Sequence, residues 1–151
     1  MIDSRPKVLI ADDDPEILSL LIDVLEPDGY RLFVARDAQE AVQLAIAHEP
    51  DLYLLDVVMP EGGGYEICDR LREHAPDRPL RVIFITGLDE TFEIKKGFAA
   101  GAVDYITKPF SPSQLRTRVR TWLLRLGKEG ETGASGQFTP PAAGTAEAPT
   151  P

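Results

Sequence analysis

Val8-Leu9-Ile10-Ala11-Asp12-Asp13-Asp14-Pro15 is the stretch that decides the fold. Its four consecutive apolar residues, with no polar alternation, predict a strand covered on both faces. The run ends abruptly in carboxylates. Asp14 and Pro15 then suit the N-cap and first position of a helix. Ile17, Leu18, Leu21, Ile22 and Leu25 supply the buried stripe of that helix. A strand that stops in acid and turns straight into a helix is the opening of a strand-helix unit.

The same pattern recurs outward along the chain. Leu52-Tyr53-Leu54-Leu55 ends in Asp56, Val82-Ile83-Phe84-Ile85 ends in Thr86, and Tyr105-Ile106-Thr107 ends in Lys108. Strands are expected over 8–11, 30–35, 51–57, 81–85 and 103–106. Helices are expected over 14–25, 65–72 and 89–98, and after the capping signals Asp37…Glu40 and Ser111-Pro112-Ser113-Gln114. Ala38, Ala41, Val42, Ala45 and Ile46 form the apolar face of the second helix. Leu115, Val119, Trp122, Leu123 and Leu126 form that of the last. Pro27-Asp28-Gly29 ends the first helix, and Gly62-Gly63-Gly64 reads as a flexible loop or turn. His48 and His74 are placed on helix exteriors. Strict alternation of strand and helix predicts an α/β fold: a five-stranded parallel sheet, doubly wound, with right-handed crossovers and helices on both faces.

In such a sheet the C-terminal strand ends form the ligand site. Separate segments would therefore bring Asp12, Asp13, Asp56, Thr86 and Lys108 to one place. Three carboxylates, a hydroxyl and an ammonium can bind a divalent cation and a phosphoryl group.

Composition sets the outer limits. The chain has 151 residues, 43% hydrophobic and 27% charged, which suits one globular domain with a tail. After Leu126 the residues turn to Gly, Ala, Thr and Pro, so the expected division is a domain over 1–126 and a disordered tail or linker over 127–151. A formal net charge of −9 disfavours nonspecific binding to nucleic acid or anionic membrane. The single Cys68 excludes an intrachain disulfide and fits a reducing compartment as a small apolar helix residue. No apolar run approaches a membrane span, and Met1-Ile2-Asp3-Ser4-Arg5 is no signal peptide, so a cytoplasmic protein is expected. Arg116, Arg118, Arg120 and Arg125 make the last helix either a solvated surface or a face for a partner or homodimer.

Ala11-Asp12-Asp13-Asp14-Pro15, Leu55-Asp56-Val57-Val58-Met59-Pro60 with Gly64, Ile85-Thr86-Gly87 and Tyr105-Ile106-Thr107-Lys108-Pro109-Phe110 resemble the receiver domain of bacterial two-component response regulators, over roughly 7–126. The resemblance is to chemotaxis-regulator-like receivers. It implies a flavodoxin-like strand order 2-1-3-4-5. It implies that Asp56 is the phosphoacceptor, receiving its phosphoryl group from a sensor histidine kinase or phosphotransfer protein. Asp12, Asp13, Asp56 and the backbone carbonyl of Val58 are the implied ligands of Mg²⁺ or Mn²⁺. Lys108, before a cis Pro109, and Thr86 are the implied partners of the phosphoryl oxygens. Thr86 and Tyr105 are the implied switch pair, which remodels the surface of the fourth helix, fifth strand and last helix for a downstream protein target.

An enzyme reading competes. Phosphatases of the haloacid dehalogenase type also use a strand-end Asp and Mg²⁺, with a second Asp two residues later as general acid. Here that residue is Val58, which cannot transfer a proton. The expectation is a phosphoacceptor that catalyses its own phosphorylation and slow dephosphorylation, not a turnover enzyme. The alternative kept open is an N-terminal receiver fragment of a longer regulator with a separate output domain.

Overall fold

The computed structural model describes residues 3–60, 62–87 and 102–132, the stretch 127–132 by its backbone. Strands β1 (Lys7–Ala11), β2 (Arg31–Ala35), β3 (Leu52–Asp56), β4 (Val82–Gly87) and β5 (Ala102–Lys108) form one parallel sheet in the order β2-β1-β3-β4-β5. Helices α1 (Pro15–Leu25), α2 (Ala38–His48), α3 (Gly64–His74) and α4 (Pro112–Thr132) connect or follow the strands. The expected flavodoxin-like order is present. The helix expected over 89–98 lies outside the described residues, and α4 continues past the compositional boundary at Leu126.

The period-two geometry of a strand sends alternate residues to opposite faces. Val8, Ile10, Leu52, Leu54, Ile83 and Ile85 meet Leu18, Leu21, Val24 and Leu25 of α1 and Leu115, Val119 and Trp122 of α4. Leu9, Ala11, Tyr53, Leu55 and Phe84 meet Ala38, Ala41 and Ala45 of α2 and Ile67, Cys68 and Leu71 of α3. Both faces are covered, which is why the inner strands β1, β3 and β4 carry continuous apolar runs. Each fully buried Leu, Ile or Phe contributes about 1.5–3 kcal/mol of transfer free energy.

The caps set where the helices begin. Asp14 Oδ1 accepts from the Glu16 N–H (2.9 Å), Asp37 Oδ1 from the Glu40 N–H (2.8 Å) and Ser111 Oγ from the Gln114 N–H (3.0 Å). Glu40 reaches back to the Arg36 N–H (2.9 Å), completing the reciprocal bond of a capping box one residue early. A single 3₁₀ turn, Glu26–Asp28, follows α1 and closes on Gly29 at φ +84°, a left-handed conformation that glycine adopts without penalty.

Four details depart from the sequence reading. Ile46 is 40% exposed, and Val24 joins the α1 stripe instead of Ile22. His48 is half-buried rather than fully solvated: its ring stacks on Phe33 with centroids 4.3 Å apart, and Phe33 in turn lies under the Arg31 guanidinium. The four arginines of α4 do not share one face. Arg116 and Arg120 turn to Asp28 (3.9 and 3.6 Å), Arg118 binds Asp104 Oδ1 (2.8 Å) and the Tyr105 carbonyl (2.9 Å), and Arg125 lies over the Trp122 ring. Trp122 Nε1–H also donates to Asp104 (3.0 Å), so Asp104 ties β5 to α4.

Candidate functional site

The sheet delivers the expected residues to its C-terminal edge. Asp12 follows β1, Asp56 ends β3, Thr86 lies in β4 and Lys108 ends β5. Asp56 pairs in register with Ile85, one residue before Thr86, and Lys108 pairs with Gly87. Asp12 is fully buried, as are Asp56 and Thr86 to within a few per cent, while Asp13 is exposed.

Buried carboxylates must be compensated. The Asp12 backbone N–H donates to the Ala35 carbonyl (3.2 Å), and its Oδ1 accepts from the Asp14 N–H (2.9 Å). Asp56 Oδ1 accepts from the Val58 N–H (3.2 Å). Lys108 Nζ lies 3.2 Å from Oδ2 of both Asp12 and Asp56, but only the Asp56 contact has hydrogen-bond geometry. Asp12 Oδ2 is therefore buried with no hydrogen bond. Carboxylate oxygens of Asp12, Asp13 and Asp56 lie within 4.8 Å of one another. One ammonium among three carboxylates leaves a net negative site.

The electrostatics follow from that imbalance. Burial, and then the neighbouring Asp12 carboxylate, push the Asp56 carboxyl from 3.8 up to about 6, against the pull of Lys108 and the Val58 N–H. Burial pulls Lys108 down, but the Asp56 and Asp12 carboxylates outweigh it and hold the ammonium above its ordinary value. A buried oxygen without a hydrogen bond, hard oxygen donors and excess negative charge suit a small divalent cation such as Mg²⁺ or Mn²⁺. Protons then compete with the ion. Cation affinity is expected to fall by about tenfold per unit below pH 6 and to level off above it. A Mn²⁺ titration followed by electron paramagnetic resonance checks this, and an affinity flat from pH 4.5 to 7 would contradict it.

The Thr86 hydroxyl makes a long contact, 3.4 Å, with the Gly87 carbonyl oxygen. Tyr105 is half-buried and in register with Phe84. The Lys108–Pro109 peptide bond is cis.

The close-contact role of Gly63 and the part played by Tyr65 escaped the sequence reading. A Cβ at Gly63 would overlap the Val57 carbonyl oxygen, and one at Gly64 would stand 2.7 Å from the Phe84 ring and 3.0 Å from the Asp56 carbonyl oxygen. These glycines permit close approach of α3 to the site, which is more than a flexible turn. Three consecutive glycines were the available signal.

The family model for the response regulator receiver domain matches residues 8–120. The chain belongs to this receiver family. The receiver is 40% identical over 119 residues to the alkaline phosphatase synthesis transcriptional regulatory protein PhoP of Bacillus subtilis, covering 79% of this chain and 49% of that protein. It is 38% identical over 120 residues to the DNA-binding dual master transcriptional regulator RpaA of Synechocystis, covering 80% and 50%. It thus spans about half the length of the curated relatives it matches. Among solved structures, a CheY-like receiver domain protein from Methanospirillum hungatei superposes with a TM-score of 0.76 at 29% identity, covering 83% of this receiver and 99% of that chain. The receiver domain of the Francisella response regulator 1452 gives 0.71 at 36% identity, covering 80% and 98%.

Receiver domains are signal transducers in two-component systems, partnered by kinases or phosphotransfer proteins, and bind Mg²⁺ at an acidic cluster. Among the described residues of this receiver, Asp12, Asp13 and Asp56 form that cluster. No helix among them is long and apolar enough to cross a membrane.

Proposed function

We propose that this receiver is a phosphorylation-driven switch in which Asp56 accepts a phosphoryl group from the phosphohistidine of a sensor histidine kinase or phosphotransfer protein. The reading is carried by one observation: Lys108 Nζ stands 3.2 Å from Oδ2 of both Asp56 and Asp12, beside a buried Asp12 oxygen that lacks a hydrogen bond. An Asp56 oxygen attacks phosphorus, the P–N bond of the donor breaks, and its electron pair stays on the histidine nitrogen, which takes up a proton. Asp12, Asp13, Asp56 and the Val58 carbonyl would hold Mg²⁺ or Mn²⁺. When bound, the ion supplies positive charge against the phosphoryl oxygens. Lys108 transfers its ion pair from Asp56 to the phosphoryl group, and the Thr86 hydroxyl donates to another of its oxygens. Val58, whose side chain is 58% exposed, offers no group to orient an attacking water, so the acyl phosphate decays slowly and turnover chemistry is absent.

The switch follows. Thr86 moves toward the phosphoryl group, Tyr105 turns into the space it leaves, and the surface around β5 and α4 is remodelled for a downstream protein target or a second copy of the chain. A net charge of −9 opposes direct nucleic-acid binding by this segment, and the reading places it in the cytoplasm, with the residues that follow α4 as tail or linker.

Treatment with acetyl phosphate and Mg²⁺ is expected to add one phosphoryl group, which borohydride reduction converts to homoserine at position 56 on peptide mapping. No adduct, or an adduct on another residue, overturns the proposal. The length of the relatives favours a second reading, in which the receiver controls an output domain of a longer protein. A natural reading frame that stops at Pro151 would exclude it.

A further inference from the structure

Tyr65 is half-buried against the core in the first turn of α3, one residue after the glycines that approach Asp56. Its hydroxyl lies 3.4 Å from that of Tyr105, 40 residues away. Phe84 stands between the two rings: the Tyr65 ring meets it edge-on with centroids 4.8 Å apart, and the Tyr105 ring lies tilted at 5.7 Å. Phe84 is fully buried, and the missing Cβ of Gly64 lets its ring press against the start of α3. Phe84 also shares a face of β4 with Thr86, two residues on. The start of α3, the strand carrying Thr86 and the aromatic of β5 are thus one packed unit.

We propose that Tyr65 is a positioning residue of the switch, its hydroxyl holding Tyr105 in the orientation of the unphosphorylated protein. The inference rests on the reading of Asp56 and Tyr105 given above. Tyr105 cannot turn toward the space left by Thr86 while its hydroxyl stays on Tyr65, so the pair breaks when the switch is thrown. The pair belongs to one state only, and only such a contact can bias a two-state equilibrium. At 3.4 Å the bond is long, so its effect is modest. Removing one hydroxyl raises the switched population by roughly two- to fivefold. The apparent affinity for anything that requires the switched state rises by the same factor.

The test uses beryllofluoride, a tetrahedral mimic of the aspartyl phosphate, titrated into the full chain with Mg²⁺. The single tryptophan, Trp122, is the reporter, because its indole N–H donates to Asp104, next to Tyr105. Its lone indole signal in a nitrogen-15 spectrum follows binding. Tyr65→Phe is expected to lower the midpoint two- to fivefold. In a Tyr105→Phe background the same substitution is expected to shift the midpoint markedly less, since the partner hydroxyl is gone. An unmoved midpoint in Tyr65→Phe overturns this inference alone. So does a shift of undiminished size in the Tyr105→Phe background, because the hydroxyl pair would then not be its cause. Failure of the unsubstituted chain to bind beryllofluoride overturns the reading of Asp56 and this inference with it.

Discussion

Asparagine in place of Asp56 is expected to abolish phosphoryl uptake and, with divalent cations chelated, to stabilise the fold by about 1–2 kcal/mol at pH 7. The loss of uptake follows because an amide is no nucleophile for phosphorus at neutral pH. The gain in stability follows from the site's surplus of negative charge. Burial and Asp12 hold the Asp56 carboxyl near 6 in the folded chain, against 3.8 for a solvated aspartate. The folded protein therefore binds the Asp56 proton more tightly than the unfolded chain does. Between about 3.8 and 6 the native state carries more protons, so this group's contribution to stability falls as pH rises through that window. Above 6 the ionised carboxylate costs a constant amount. A shift of this size corresponds to about 3 kcal/mol, and partial solvation reduces it. The amide oxygen of asparagine can accept from the Val58 N–H or from Lys108, and losing the other bond trims the gain further. Urea unfolding in a chelator should show the variant ahead at pH 7 and level with the parent at pH 4. Saturating Mg²⁺ should narrow or reverse the order, since the parent alone keeps all three carboxylates. A variant less stable than its parent at pH 7 in chelator would refute the argument.

The residues of this site were legible because sheet topology, unlike side-chain packing, leaves a local signature. Apolar runs of four residues ending in Asp12, Asp56 and Thr86, and the shorter Tyr105-Ile106-Thr107 before Lys108, mark strand ends. A parallel sheet collects strand ends at one edge whatever the loops between them do. The division of labour between Asp12 and Asp13 was not legible, because adjacent residues of one type differ only in which way the chain turns after β1. One is sealed beneath Lys108 and the other faces solvent. His48 was misplaced for a related reason. Helical periodicity says which side of α2 is apolar, but not that Phe33 on the neighbouring edge strand offers a ring to stack on. The arginines of α4 carried even less information. Two of their partners, Asp28 and Asp104, lie on other elements, and spacing along one helix cannot choose between them; only Trp122, three residues before Arg125, lies on α4 itself. The glycines were misread because composition cannot distinguish freedom to bend from the need for contact.

That distinction makes Gly63 the second decisive position, and alanine there is expected to destabilise the fold by about 3 kcal/mol. The backbone dihedral is not the obstacle: Gly63 sits at φ −98°, which alanine adopts readily. The obstacle is the Val57 carbonyl oxygen, which the new methyl would overlap. Backbone cannot swing aside as a side-chain tip can. Here both parties are tied, since the Val57 N–H donates to the Ile85 carbonyl (2.9 Å) and the Gly63 carbonyl accepts from the Ile67 N–H (3.1 Å). Relief therefore requires moving the segment 57–59. That segment carries the Val58 N–H bonded to Asp56, so cation affinity should fall together with stability. Gly29→Ala supplies the contrast. A methyl there meets nothing within 4 Å, but φ +84° is unfavourable for alanine, a cost of about 1 kcal/mol. Its effect should stop at stability, because Gly29 closes the turn after α1, away from the strand ends. Urea unfolding and Mn²⁺ titration of the two variants separate the mechanisms. If Gly63→Ala lies within 1 kcal/mol of the parent, or lowers stability without weakening the ion, then the loop after β3 yields independently of Asp56 and close packing of α3 does not shape the site.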